Sequence, residues 1–170
     1  KGLTSPFSAS DFLPPIILHM TNEDLCKTFG SAGFYTRKTQ TIKNVATYFN
    51  DNFDCDLELA QEQNKRKLRQ EILSIHGIGP ETADVILMYG LRKGEFVVDT
   101  YSRRLFTCLG WKNVPPYEKA KVLIEKNLDN FTLRNYQNFH AMIDTFNQEY
   151  KLPQQFDNSF LAKYELIIPY

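Results

Sequence analysis

Residues 73–86 read LSIHGIGPETADVI, and this stretch decides the fold. Gly77 and Gly79 stand between two segments whose apolar residues recur at helical spacing. Glycine lets a backbone adopt positive φ and lets another molecule approach the main chain closely. Pro80 suits the first turn of a following helix, where its missing N–H is not needed. The stretch therefore predicts two helices joined by a very tight turn between Leu73 and Leu91.

The main-chain amides of this turn are expected to form an anion site. They lie at the N-terminus of the predicted second helix, where unpaired N–H groups and the helix dipole favour negative charge. A phosphate is the natural occupant. We expect Ile78, between the glycines, to pack into the core and hold the turn rigid.

The charge distribution agrees with a phosphate-binding surface, although the net charge of the chain is zero. Residues 60–126 carry 12 basic and 8 acidic side chains, whereas residues 1–59 and 127–170 each sum to −2. A local basic patch is what a phosphate-binding surface needs. A solvated helix face would give the same count, so charge alone leaves both interpretations open.

Composition excludes several other classes of protein. With 42% apolar and 14% aromatic residues in 170, the chain is globular, and its apolar runs are too short to cross a bilayer. No apolar segment of the signal-peptide kind follows Lys1. Three widely spaced cysteines (Cys26, Cys55 and Cys108) predict reduced thiols in a cytoplasmic protein and no disulfide framework.

Helical periodicity extends over nearly the whole chain and predicts an all-α fold. The strand-like segment from Glu95 to Val98 is too short to build a sheet. We expect two helical lobes, residues 1–93 with the glycine turn and residues 94–170 with Asp99. The predicted helices begin near Thr21 and then cover Arg37 to Phe49, Lys65 to Ile75, Pro80 to about Leu91, Asp99 to Gly110, Pro116 to Leu128 and Leu133 to Tyr150.

Asp99 is the candidate catalytic residue. In isolation it is most simply the N-cap of the helix that follows. Capping is compatible with catalysis, because the helix dipole keeps a carboxylate ionised. Rupture of an N-glycosidic bond leaves an oxocarbenium-like sugar, which a fixed carboxylate can stabilise while it orients a water.

The pattern Leu73-x-x-His76-Gly77-Ile78-Gly79-x-x-Thr82-Ala83-x-x-Ile86 resembles the helix-hairpin-helix signature of the HhH-GPD superfamily of base-excision DNA glycosylases. Val98-Asp99-Thr100 lies 20 residues after Gly79, at the spacing of the catalytic aspartate in that superfamily. The segment from Ser31 to Lys38 is similar to a loop of the endonuclease III branch. The resemblance covers most of the chain.

This resemblance implies a set of functional residues and partners. Asp99 would be catalytic, and the carbonyls of Leu73, Ile75 and Ile78 could hold a Na⁺ or K⁺ ion that bridges to a phosphate. The substrate would be double-stranded DNA with a damaged base, bound by a monomer at the bacterial nucleoid, with no membrane partner. The residues expected to contact DNA are Gly77, Ile78, Gly79, Glu81, Thr82, Lys38 and Arg103.

Three departures from the family refine the prediction. Glu81 stands where bifunctional members carry the lysine that forms a Schiff base, so strand cleavage should be absent. No cysteine follows Cys108, so an iron–sulfur cluster is not expected, and apolar packing should replace it in a subgroup that includes bacterial 3-methyladenine glycosylases. The residues expected to supply this packing are Phe156, Phe160, Leu161 and Tyr164. About two further helices of the family, before Lys1, have no counterpart.

We therefore predict a monofunctional DNA glycosylase, without required cofactors, that removes a damaged and preferably alkylated base. One alternative is a non-catalytic or truncated helix-hairpin-helix module that only binds DNA. Another is a bifunctional endonuclease III-type lyase that uses a different lysine, such as Lys93 or Lys38. For His140, a structural role is favoured over a place in the base pocket.

Overall fold

This computed structural model describes residues 14–29, 36–151 and 153–167. Within these ranges the chain forms ten α-helices and no β-strand. The predicted all-α fold is confirmed. After α6 the helix continues as a π-helical turn, Ile86–Gly90. The helices are α1 (Pro14–His19), α2 (Asn22–Phe29), α3 (Thr36–Phe53), α4 (Leu57–Glu62), α5 (Lys65–Ser74), α6 (Pro80–Val85), α7 (Thr100–Cys108), α8 (Tyr117–Glu125), α9 (Leu133–Glu149) and α10 (Pro153–Phe156).

The chain divides into two compact units, Lys1–Gly79 and Pro80–Tyr170. This division falls inside the glycine turn, earlier in the chain than the boundary expected near residue 93. The difference has a physical cause, because α6 is bonded to helices that follow it. Asp84 on α6 forms an ion pair with Lys121 on α8, and Tyr89 in the π-helical turn forms a hydrogen bond with His140 on α9.

The first unit is organised around the long helix α3, whose buried residues include Ala46 and Phe49 at the predicted spacing. Helix α5 begins after Asn64, whose side chain caps it by accepting from the amides of Arg66 and Lys67. Its buried residues are Leu68 and Ile72, as the periodicity predicts. This helix carries the chain into the turn.

The second unit contains the main apolar core, to which α7, α8, α9 and α10 all contribute. Helix α7 begins and ends where the sequence predicts, with Asp99 as its N-cap. At its C-terminus Gly110 has φ of +100°, and the N–H groups of Gly110 and Trp111 donate to the carbonyls of Thr107 and Phe106. This is the Schellman arrangement, which requires a residue in the left-handed region.

A buried ion cluster joins α6, α8 and the segment before Asp99. Lys121 is 5% exposed, and its Nζ lies 2.8 Å from Asp84 Oδ2 and 3.6 Å from Glu125 Oε1. It also forms an ion pair with the buried carboxylate of Glu95. Tyr117 donates a hydrogen bond of 2.9 Å to Asp84 Oδ2. One buried ammonium therefore pairs with carboxylates from three parts of the chain.

The C-terminal segment contributes unequally to the core. Phe156 is buried and Leu161 partly buried against the apolar cluster. Phe160 and Tyr164, in contrast, are 67% and 57% exposed. Of the four residues expected to supply apolar packing, three do so, since the Phe160 ring also packs edge-on against Phe146 at a centroid distance of 5.9 Å. The segment is held by a 2.8 Å hydrogen bond from the Leu166 amide to the Leu109 carbonyl. Within the described ranges, no helix is long and apolar enough to cross a membrane.

Replacing Lys121 with methionine should destabilise the fold severely. The substitution keeps the side-chain length but leaves Asp84 and Glu95 buried without their cation, and such a loss costs about 3–5 kcal/mol. We expect urea denaturation to show this decrease in the free energy of unfolding. Lys119→Met, at an exposed position of the same helix, is the matched control and should change little. Equal stabilities of the two variants would contradict a structural role for the cluster.

Candidate functional site

The turn after α5 contains a glycine at which any side chain would be strained. Gly77 has φ of +94°, and a Cβ at this position would overlap Oγ1 of Thr41 on α3. The turn is also tied to α3 by a hydrogen bond of 3.1 Å from Asn44 Nδ2 to the His76 carbonyl. The Ile78 amide donates to the Ile75 carbonyl at 3.0 Å. The main-chain path at Gly77 is therefore fixed from within the first unit.

Gly79 differs from Gly77 in both respects. It does not have positive φ, and a Cβ added to it would meet no atom within 4 Å. The residue is exposed, so the space above its main chain is open to another molecule. Ile78 between them is only half-buried and does not enter the core as completely as the sequence suggested.

An open groove with a volume of about 730 Å³ lies beside the turn in the first unit. Arg37 and Lys38 on α3 line it together with Thr41, His76 and Gly77. Arg37 and Lys38 are exposed. The structure therefore places Lys38, expected to contact DNA, beside Gly77. The loop residues before Lys38 that resemble the endonuclease III branch lie outside the described residues.

Of the three carbonyls expected to hold a monovalent cation, that of Ile75 accepts the Ile78 amide. A carbonyl oxygen has a second lone pair, so this bond leaves room for an ion. The cation site stays a prediction.

Glu81 and Thr82 lie on the exposed side of the first turn of α6, in the second unit. Partial burial and the negative charge of Asp99 raise the pKa of Glu81, while the charges of His140 and Arg103 oppose the rise. Glu81 and Asp99 are therefore close enough to repel each other. A carboxyl group at position 81 offers no amine at this site.

The segment from Glu95 to Val98 delivers Asp99 to its position. All four of its residues are buried. Two of its amides bond to side chains of α8, since the Phe96 N–H donates to Glu125 Oε1 at 2.9 Å and the Val98 N–H to the Tyr117 hydroxyl at 3.4 Å. These bonds to side chains take the place of the main-chain hydrogen bonds of a β-sheet, and they hold the extended segment before α7.

One oxygen of the Asp99 carboxylate is fully committed to its helix. Asp99 Oδ1 accepts the Ser102 amide at 2.7 Å and the Ser102 hydroxyl at 2.7 Å. The other oxygen, Oδ2, lies 3.6 Å from Nε2 of His140. The Asp99 side chain remains 15% exposed, so a substrate can reach it. One half of the carboxylate holds the geometry and the other half is available for chemistry.

His140 links Asp99 to the π-helical turn. A hydrogen bond of 2.8 Å joins its Nδ1 to the Tyr89 hydroxyl, while Nε2 faces Asp99. Asp144, one turn further along α9, brings a carboxylate oxygen within 4.8 Å of the nearest donor atoms of Asp99 and His140. Oδ1 of Asp144 is buried and accepts no hydrogen bond. These three side chains are the set, among the described residues, that could hold a metal ion.

The electrostatics of the pair favour charge on both partners. Burial alone would raise the pKa of Asp99, but the adjacent His140 side chain and the hydrogen bonds from Ser102 outweigh burial, and the pKa is lowered. The Asp99 carboxylate raises the pKa of His140 against its partial burial, with added contributions from the charges of Asp144 and Glu81. Asp99 is therefore ionised at neutral pH, and His140 keeps its proton to higher pH than an ordinary histidine.

The two arginines one turn after Asp99 are engaged within the protein. Arg103, expected to contact DNA, donates to the carbonyls of Val114 and Pro115 at 3.4 and 3.0 Å. Arg104 donates to Asn147 Oδ1 at 2.6 Å and to main-chain carbonyls at the end of α9. Arg104 thus ties α7 to α9. A DNA contact by Arg103 stays a prediction.

The sequence alone identifies Asp99 but not the side chains that surround it. Asp99 was found from its spacing, and His140 was noted without its link to Asp99. Tyr89 and Asp144 were not singled out, although Asp144 is four residues from His140 on one face of α9. That spacing is the signal that could have identified Asp144.

Comparisons with known proteins agree with this arrangement. A family model described as HhH-GPD superfamily base excision DNA repair protein matches residues 4–130. Over 129 residues the chain is 40% identical to a candidate DNA repair glycosylase of Methanocaldococcus jannaschii, covering 75% of this chain and 58% of that protein. Endonuclease III of Sulfolobus acidocaldarius is 32% identical over 136 residues, covering 80% and 58%. The chain thus spans 58% of the length of these two relatives.

A similar solved structure is that of the H. pylori 3-methyladenine DNA glycosylase bound to 1,N6-ethenoadenine. The two folds agree with a TM-score of 0.69 at 26% sequence identity. The match covers 82% of this chain and 68% of the other.

The two turn glycines should respond differently to substitution by alanine. Gly77→Ala introduces a left-handed non-glycine residue and a clash with Thr41, so we expect a loss of about 1–3 kcal/mol in the free energy of unfolding. Gly79→Ala should stay within about 0.5 kcal/mol of wild type. Urea denaturation of both variants measures this. A larger loss for Gly79→Ala would show that the distinction is wrong.

Proposed function

Because the chain belongs to the HhH-GPD superfamily of base excision DNA repair proteins, we propose that it is a monofunctional DNA glycosylase acting on alkylated bases. It hydrolyses the N-glycosidic bond of a damaged nucleotide flipped out of duplex DNA. The observation that supports this best is the unequal surroundings of the two Asp99 carboxylate oxygens. Ser102 donates two hydrogen bonds to Oδ1, whereas Oδ2 lies 3.6 Å from His140 and accepts no short hydrogen bond from it.

Asp99 supplies electrostatic stabilisation to the reaction. As the bond between C1′ and the base nitrogen breaks, its electron pair leaves with the base and positive charge develops on the sugar. A fixed, ionised carboxylate beside C1′ lowers the energy of that state. Water then adds to C1′, and Asp99 Oδ2 accepts a proton from it. Ser102 keeps the carboxylate in place throughout, so little reorganisation is needed.

Alkylated purines suit a site of this kind. A base such as 3-methyladenine carries a positive charge in DNA and departs as a neutral molecule, so it needs no proton from the enzyme. One solved neighbour supports this substrate class, since it is a 3-methyladenine DNA glycosylase. The reaction as proposed uses no cofactor.

The absence of a lyase step follows from Glu81. A β-lyase needs an amine that attacks C1′ and forms an imine. The side chain in the first turn of α6, near Asp99, is a carboxylate instead. The product would then be an intact strand with an abasic site.

The turn and the adjacent groove supply the grip on DNA. The open space at Gly79 admits a phosphate to the main chain, and Arg37 and Lys38 add positive charge beside Gly77. Contacts of this kind do not depend on sequence and weaken with salt. A Na⁺ or K⁺ ion on the carbonyls of Leu73, Ile75 and Ile78 would strengthen the same contact. We propose that the protein acts as a monomer on chromosomal DNA.

Asp99→Asn should abolish base release while preserving DNA binding. Asparagine caps helices as well as aspartate does, so α7 should still form, but the negative charge is lost. We expect release of 3-methyladenine from methylated duplex DNA to fall by at least about 100-fold under single-turnover conditions. Asp129→Asn, at an exposed site away from α7, is the matched control.

Two outcomes of this experiment would contradict the proposal. Equal release by wild type and Asp99→Asn would favour a module that only binds DNA. The same reactions with borohydride test for a lyase, and we expect no covalent adduct between protein and DNA. A trapped adduct would identify a bifunctional enzyme that uses another lysine.

A further inference from the structure

Three acidic side chains lie around His140. Asp99 precedes α7, Asp144 lies on α9 and Glu81 lies on α6, while the Tyr89 hydroxyl contacts Nδ1 from the π-helical turn. The buried Oδ1 of Asp144 accepts no hydrogen bond, so its charge is not reduced by a donor. An imidazole in this setting keeps a second proton readily.

The geometry leaves that proton available to a substrate. The distance of 3.6 Å from Nε2 to Asp99 Oδ2 is an ion-pair distance and too long for a firm hydrogen bond. Tyr89 fixes the ring through Nδ1 and not through Nε2. The His140 side chain is 16% exposed, similar to Asp99. The Nε2–H group thus sits beside the proposed reaction centre without being bound tightly by it.

The role of holding Asp99 in place is already filled. Ser102 makes two hydrogen bonds of 2.7 Å to Oδ1, and the buried segment before Asp99 fixes its main chain. A base that already carries positive charge needs no proton from a donor next to Oδ2. Such a donor would matter for a base that departs as an anion.

We propose that His140 is a general acid that protonates neutral leaving bases, so that the site also accepts neutral purine lesions. The inference rests on the proposed glycosylase function and extends its substrate class from cationic to neutral bases.

The step balances as follows for a neutral purine. The C1′–N9 bond breaks and its electron pair moves to the base, which takes the proton of His140 Nε2 at a ring nitrogen. Water adds to C1′, and the proton that it loses returns to His140, directly or through Asp99. The products are the neutral base and an abasic sugar, and the enzyme returns to its starting state.

His140→Gln tests the proposal, because glutamine keeps an N–H donor near the position of Nε2 but cannot transfer its proton. The protein is assayed under single-turnover conditions on methylated duplex DNA, releasing 3-methyladenine, and on duplex DNA containing hypoxanthine, a neutral purine. His19→Gln, at an exposed position of α1, is the matched control. EDTA is present throughout, so that no metal ion occupies the Asp99, His140 and Asp144 side chains.

We expect His140→Gln to slow hypoxanthine release about 100-fold more than it slows 3-methyladenine release, because only the neutral base needs a proton from position 140. In the wild type, hypoxanthine release should fall as pH rises through the raised pKa of His140, because only the protonated ring is active. Release of 3-methyladenine should be flat over that range, because the lowered pKa of Asp99 keeps it ionised.

Several results would overturn the inference. An equal loss on both substrates would make His140 a positioning residue for Asp99. Hypoxanthine release that does not change with pH would exclude it as the acid. Wild type that releases 3-methyladenine but not hypoxanthine would retain the proposed function and refute the wider substrate class. Release of neither base would refute both.

Discussion

The buried ammonium of Lys121 is the interaction on which the second unit depends. It forms ion pairs with Asp84 on α6, Glu95 before Asp99 and Glu125 on its own helix. Separating a buried cation from its carboxylates is costly, so the three carboxylates are held close to Lys121. Because Glu125 also accepts the Phe96 amide, the same cluster fixes the extended segment that ends at Asp99. The position of the candidate catalytic carboxylate thus depends on the ion pairs of Lys121, which lies more than 20 residues away in sequence.

The local features of the fold could be predicted from the sequence because they depend on neighbours within a turn or two. Apolar spacing predicted α3, α5 and α9, Asp99 was expected as a cap, and Gly110 was expected just after α7. The Lys121 cluster could not be predicted in this way, since Glu95 and Lys121 are 26 residues apart and meet only through tertiary packing. The π-helical turn that presents Tyr89 to His140 has no local signature in Ile86–Gly90. The spacing of the glycines also could not show that Gly77 and Gly79 differ. A side chain at Gly77 would clash with Thr41, whereas a Cβ at Gly79 would meet no atom within 4 Å.

The two oxygens of the Asp99 carboxylate have different roles in the candidate site. Oδ1 of Asp99 belongs to the protein, because Ser102 holds it, and Oδ2 faces His140 and solvent. The same division explains how an N-cap can also be catalytic, since capping needs only one oxygen. Around it Glu81, Asp99 and Asp144 supply carboxylates, while Arg103 and the imidazolium form of His140 supply positive charge. The carboxylates outnumber the cationic groups in this set, which favours a developing positive charge on the sugar.

The central claim is that the Asp99 charge stabilises positive charge at the sugar, and the affinity for two abasic-site analogues tests it most directly. One duplex carries a cationic pyrrolidine in place of the damaged nucleotide, and the other carries a neutral tetrahydrofuran of nearly the same shape. Wild type should bind the pyrrolidine duplex at least about 100-fold more tightly, as expected for a transition-state analogue, and Asp99→Asn should lose this preference. Equal affinity of wild type for the two duplexes would contradict the account.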